Sequence, residues 1–179
     1  MNLSFPDFGD VRATVGANRA SLADFIAKIE ERSEAVRTLV PADKWHSIHD
    51  LGEWTLQNCR IERMPQHMID ATKKQLGLLA DGMPEDMLNP SSFALCQNVA
   101  IVFGERLRAG SHCSWEICVR KGNVNFHLIV LRGKSPVECA VHHVLPNVIE
   151  RRLRGEDDRS LGVVFEIWRK ILSGEGYDG

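Results

Sequence analysis

This chain has no basic excess, no long apolar run and no familiar catalytic motif, and each absence removes a class of function. Lysine and arginine number 22 against 24 aspartates and glutamates, for a net charge of −2. So balanced a chain has no surplus to neutralise a phosphate backbone, and nucleic-acid binding is not expected. The longest apolar runs, Val99 to Phe103 and Leu128 to Leu131, fall far short of the roughly 20 residues of a membrane-spanning helix. The opening MNLSFPDFGD has no basic segment followed by an apolar one, so no secretory signal is expected. There is no Gly-rich phosphate loop, no H-E-x-x-H and no G-x-S-x-G. Internal repeats and low-complexity segments are missing too. Cysteines number five, at 59, 96, 113, 118 and 139, with no paired C-x-x-C. An odd count without a signal segment reads as free thiols in a reducing cytoplasm.

The 179 residues are 44% hydrophobic. That fits one domain able to bury roughly 70% of its unfolded surface. Its clearest local feature is Ser111 to Leu131, SHCSWEICVRKGNVNFHLIVL, which reads as a β-hairpin. Cys113, Trp115, Ile117 and Val119 alternate with Ser114, Glu116, Cys118 and Arg120, and Val124, Phe126, Leu128 and Val130 alternate with Asn125, His127, Ile129 and Leu131. Lys121-Gly122-Asn123 supplies the turn. Lys121-Gly122 as the loop sets Ile117 against Phe126, and Gly122-Asn123 shifts the pairs by two. Both registers put the same eight residues on the core face. Ile129 and Leu131 make the second face less polar than usual, which implies cover there as well.

Helical patterns surround the hairpin. Residues 1–20 read as an arm, with a short strand possible over Arg12 to Val15. Ser21 and Asp24 form a capping box for a helix carrying Leu22, Phe25, Ile26, Ile29, Val36 and Leu39 inward and ending at Pro41. Residues 42–57 are roughly helical, and 58–64 fit either a strand or a connection. Pro65 opens a helix with Met68, Ile69, Thr72, Leu76 and Leu79 inward, ended by Gly82. Residues 82–90 read as a loop by composition. Pro90 opens a central helix to about Arg108, with Phe93, Cys96, Val99, Ala100, Phe103 and Leu107 inward. Ser135 and Glu138 form a second capping box, and Pro146 must kink or split the helix that follows. Glu156-Asp157-Asp158 caps a last helix, and 174–179 is a tail. The expected fold is α+β: a mostly helical single domain, 21–173, packed around a β-hairpin or small antiparallel sheet.

The candidate chemistry is sparse, and no residue is assigned a catalytic role. Cys113, Cys118, His127, Cys139, His142 and His143 lie close in sequence, and Cys139 and His142 have a zinc-ligand spacing. Cys113 and Cys118 differ by five along a strand, so they point to opposite faces. Small buried thiols and surface histidines are the simpler reading, and no metal or cofactor is expected. Glu116 opposite His127, with Cys118 nearby, would make an acid–base or nucleophile site on the outer hairpin face. A cross-strand ionic contact is the simpler reading of Glu116 and His127. Glu105 sits near a helix C-terminus, where a carboxylate opposes the dipole and needs a partner. Arg106 and Arg108 read as pointing elsewhere, leaving Arg120 or an amide of the 109–112 turn. Bracing the helix-to-hairpin turn is its preferred role.

The pattern Asn98-Val-Ala-Ile-Val-Phe-Gly104-Glu105, then Trp115, then Val124-Asn-Phe126 resembles a group of uncharacterised bacterial domains. In these a helix ending in Gly-Glu precedes a strand bearing Trp. Some are similar to immunity proteins of polymorphic-toxin systems. The resemblance covers the central helix and hairpin only, and the helical N-terminal half does not contribute. It implies a cytoplasmic protein-binding protein with Gly104, Glu105 and Trp115 as fold-defining positions, and it carries over no catalytic residue. The partner surface would then be acidic or mixed in charge, drawn from Asp81 to Asp86 and from Glu156 through Asp157 to Asp158, and would face a basic toxin. Two other readings compete. One is an enzyme or small-ligand site on the outer hairpin face, the other a homodimer pairing hairpin edges across two chains.

Overall fold

The computed structural model describes residues 19–76, 84–123 and 125–175. In chain order the elements are α1 (Arg19–Ala27), α2 (Ile29–Leu39), a one-turn 3₁₀ helix (Ala42–Lys44), α3 (Ile48–Asn58), β1 (Ile61–Arg63), α4 (Gln66–Leu76), β2 (Asp86–Leu88), α5 (Pro90–Ser111), β3 (Ser114–Ile117), β4 (Ile129–Arg132), β5 (Glu138–Cys139), α6 (Val141–Leu153) and α7 (Leu161–Ser173). This is the expected mostly helical α+β domain, with two small antiparallel sheets, β1-β2 and β3-β4-β5.

The central helix is α5. Asn89 caps it by accepting from the Ser92 amide at 2.9 Å, and Pro90 takes the first turn, where a missing N–H costs nothing. From Leu95 to Gly104 it is buried on every side, which explains its nearly uniform apolar run. It extends three residues past Arg108, to Ser111. Helix α6 packs along it, and α2, α3 and α7 complete the surround. Close approach of α3 and α7 depends on Gly52, because a Cβ there would sit 2.4 Å from the Leu161 Cβ.

Pro146 neither splits α6 nor goes uncompensated. It lies inside the continuous helix and has no N–H for the carbonyl of His142, one turn back. The Gln97 side chain donates to that carbonyl instead, at 2.8 Å from α5. The proline thus creates an acceptor, and the central helix fills it.

Several expected boundaries move. The first helical pattern is two helices meeting at Lys28, and it begins at Arg19, so Ser21 and Asp24 lie inside α1; Asp24 pairs with Lys28 at 3.0 Å. The expected Arg12–Val15 strand, Leu79, Gly82 and Asp81 lie outside the described residues. Asp86–Leu88, expected as loop, is a strand paired with Ile61–Arg63. Glu138 starts no helix. It lies in β5, opposite Arg132, and α6 begins at Val141 without a side-chain cap. Ser160, not the 156–158 acids, caps α7 by accepting from the Val163 amide.

The hairpin register departs most from expectation. Trp115 pairs with Leu131 and Ile117 with Ile129, an odd slip from either expected register. The first strand keeps its core face; the second is turned over. Ile129 and Leu131 join the main core, while Leu128 and Val130 pack with Cys118 and Ala140 in a separate small cluster. Val119 and Phe126, expected inside, are exposed. The slip has a visible origin. Cys118 donates to the Leu128 carbonyl and accepts from the His127 amide, so two residues oppose one, and His127 takes φ 63°. That is a β-bulge with its first residue left-handed. The Asn123 side chain accepts from the Asn125 amide, closing a turn that a two-residue loop would not contain.

Candidate functional site

Glu105 is held as a brace. Trp115 Nε1 donates to its Oε1 at 2.7 Å, and Arg108 donates to both oxygens, at 3.0 and 2.9 Å. The partner is therefore Arg108, one helical turn on, and neither Arg120 nor a turn amide. Burial opposes the Glu105 charge, but the Arg108 and Trp115 hydrogen bonds outweigh it and hold the carboxyl below its usual range. The Trp115 ring lies across Gly104, where a Cβ would meet it at 2.5 Å. A shallow cleft of about 410 Å³ opens beside this unit, lined by Ile26, Glu30 and Arg108 among others.

The outer hairpin face does not assemble the acid–base pair. With the observed register Glu116 lies opposite Val130 and pairs with Arg132 at 3.1 Å. His127 sits in the bulge and stacks on Phe126, with ring centroids 3.9 Å apart. Cys118 is fully buried and its thiol bonds Glu138, a carboxylate that is itself buried and paired with Arg132. Asn123 Nδ2 donates to the same carboxylate at 3.3 Å. Desolvation opposes the Glu138 charge, but the Cys118 and Arg132 hydrogen bonds overcome it and hold the carboxyl below its usual range. This Glu116–Arg132–Glu138–Cys118 chain pairs its charged groups with one another, running from half-exposed Glu116 and Arg132 to buried Glu138. Among the described residues no three His, Cys, Asp or Glu side chains converge as metal ligands.

Asp86 and Glu156, one from each acidic stretch, share Arg154. Arg154 from α6 donates Nη1 to the Asp86 carbonyl at 3.1 Å and Nε to Glu156 at 2.7 Å. Its own-helix neighbour Glu150 accepts from the Leu88 amide at 2.8 Å. Asp86 and Leu88 turn their main-chain groups away from β1, so Glu150 and Arg154 stand in for a further strand and close the β2 edge. Asp157 binds Arg159 through two side-chain nitrogens and the backbone amide, which hold its carboxyl far below the usual range. Asp158 is exposed beside it. The face is therefore mixed in charge rather than acidic.

Beside that face lies a cleft of about 540 Å³, bounded by β1, β2 and the first turn of α5. Met64, Pro65, Met87, Leu88 and Phe93 make it largely apolar, and Glu62, Arg63 and Glu150 supply its charged lining. Met87 is 41% exposed. Asn89 Nδ2 donates to Glu62 at 3.0 Å and fixes that carboxylate over the cleft. The outer edge of β1 carries the Ile61 and Arg63 main-chain groups, and among the described residues no strand pairs with it. Sequence reasoning missed Met64, Met87 and Phe93 as a group. Met87 lies in a segment whose Gly, Pro and Asn content reads as loop. Its one available signal was Met87 set between Asp86 and Leu88, matched in length by Ile61–Arg63.

No family model, no curated protein and no solved structure matches the chain.

Proposed function

We propose that this protein binds another protein through the β1–β2 corner, as an immunity-type protein that neutralises a basic toxin by direct contact. The observation that carries this reading is the apolar cleft with exposed Met87 set inside a charged rim. Protein interfaces are built that way, with an apolar centre that excludes water and a polar border that fixes orientation. Methionine suits the centre because its unbranched side chain adapts to the shape of an incoming group. The open β1 edge adds a second mode of contact. An extended partner segment can pair with the Ile61 and Arg63 main-chain groups and set alternate side chains beside Met64 and Met87. Basic side chains of the partner would then meet Glu62, Asp86 and Asp158. The resemblance carried by Gly104, Glu105 and Trp115 supports the immunity class.

The test is capture of partners from the host lysate by tagged protein, followed by mass spectrometry. Met87→Lys places a charge in the cleft and should abolish capture of a stoichiometric partner. Val163→Lys, on the exposed side of α7, should not. A partner held equally by both variants would remove the corner as the binding surface. Enrichment of a metabolite or metal and no protein would end the binding-protein reading itself.

A further inference from the structure

Cys59 and Cys96 stand apart from the other thiols. Cys59 ends α3 and Cys96 lies in the second turn of α5, and their sulfurs are 3.6 Å apart in hydrogen-bond contact. Both side chains are fully buried. Neither belongs to the Glu138 cluster or the β1–β2 cleft, and simple packing asks nothing of two facing sulfurs. We propose that Cys59 and Cys96 are a modification site, a dithiol that a peroxide converts to a disulfide clipping the β1–α4–β2 excursion to the central helix.

The two thiols are not equivalent. The two sulfurs share a hydrogen bond, and the Cys59 thiol also donates to the Ser92 carbonyl at 3.8 Å; the Cys96 contact, opposed by burial and helped by Ser92 and the Arg60 charge, lowers the Cys59 pKa, while the same contact and burial raise that of Cys96. Cys59 is the attacking sulfur, since the thiolate is the nucleophile. It displaces hydroxide from the peroxide as the O–O bond breaks, giving a sulfenic acid at Cys59. The hydroxide takes the thiol proton and leaves as water. The Cys96 sulfur then attacks Cys59, the S–O bond breaks, and a second water carries off the hydroxyl and the Cys96 proton. Two thiols and one peroxide become one disulfide and two waters. The sulfurs must close by roughly 1.6 Å to reach a bond of about 2.0 Å. The closure falls on the short Cys59–Arg60 connection between α3 and β1, because α5 is packed all round.

Purified native protein is treated with hydrogen peroxide, its remaining thiols are alkylated in denaturant, and its intact mass and linked peptides are read. The expected product has lost two hydrogens, carries one Cys59–Cys96 linkage, keeps three alkylatable thiols and reverts with dithiothreitol. Its Tm lies above that of the reduced protein. A Cys113→Ser variant should form the same linkage, and Cys96→Ser should accumulate sulfenic acid at Cys59, trapped with dimedone. Five alkylatable thiols after treatment, or linkages scattered among the other cysteines, would overturn the proposal. The decisive readout needs only the wild-type chain, so poor folding of a variant does not blur it.

Discussion

Trp115 reaches Glu105 only because position 104 carries no side chain. The indole lies where an alanine Cβ would be, at 2.5 Å from the ring, and Phe25 packs against that ring with centroids 5.0 Å apart. Gly104→Ala should therefore destabilise the protein by about 1–3 kcal/mol, as overpacking does. A lower urea midpoint at unchanged m, with altered Trp emission, would report it. His142 sets a pH dependence of its own. Burial first, and then the nearby His143, lowers its pKa from 6.5 to about 4, so the folded state holds it neutral. The unfolded chain takes up that proton below about 6.5, and the folded chain does so only near 4. Stability is thus full above the unfolded value and falls as pH drops between the two, by at most about 3 kcal/mol. Urea midpoints at pH 7 and pH 5 should differ in wild type and differ much less in His142→Leu. Residue-level signals were legible in part. Glu105 announced its need for a partner, and the bracing role follows from its position. Its partner was within reach of the same reasoning, because Arg108 lies three residues on in the same helix, where side chains meet, yet Arg108 read as pointing elsewhere.

At the scale of elements, the coupling of Gln97 to Pro146 is the clearest case of one helix repairing another. Gln97→Leu leaves the His142 carbonyl buried without a donor, at a cost of about 1–3 kcal/mol. Pro146→Ala returns an N–H to that carbonyl, so the cost of losing Gln97 should shrink in its presence. A double-mutant cycle by urea denaturation reads the coupling directly, and additive losses would argue against it. The hairpin makes a different demand. His127 holds a positive φ that glycine adopts freely, so His127→Gly should be neutral or stabilising and His127→Val destabilising by about 1–2 kcal/mol. The hairpin's existence was readable from alternation; its register was not. Leu128 to Leu131 are all buried, half in the main core and half with Cys118 and Ala140. A strand apolar on both faces carries no periodic mark of which face turns inward, and the bulge at His127 decided it. The same limit hid β5: Glu138 fits a capping box as readily as a buried ion pair with Arg132, and only the third strand's pairing tells them apart.

For the whole molecule, the helical α+β class was legible because α7 carries strong apolar periodicity, α5 a helix-length apolar run, and turn residues fall between the elements. The proposed binding corner was not, because it is assembled from three short pieces, Ile61–Arg63, Asp86–Leu88 and the start of α5, none of them periodic enough to stand out alone. Its charged rim is likewise a product of folding, with Arg154 drawing Asp86 and Glu156 together across the chain. The central claim is that this corner is where the partner sits. Hydrogen–deuterium exchange of the protein alone and with its captured partner tests it most directly. Partner binding is predicted to slow exchange at the Ile61 and Arg63 amides and across Asp86–Leu88, and to leave Ser114–Ile117 and Ile129–Arg132 unchanged. Protection confined to the hairpin, with β1 and β2 exchanging as before, would contradict it.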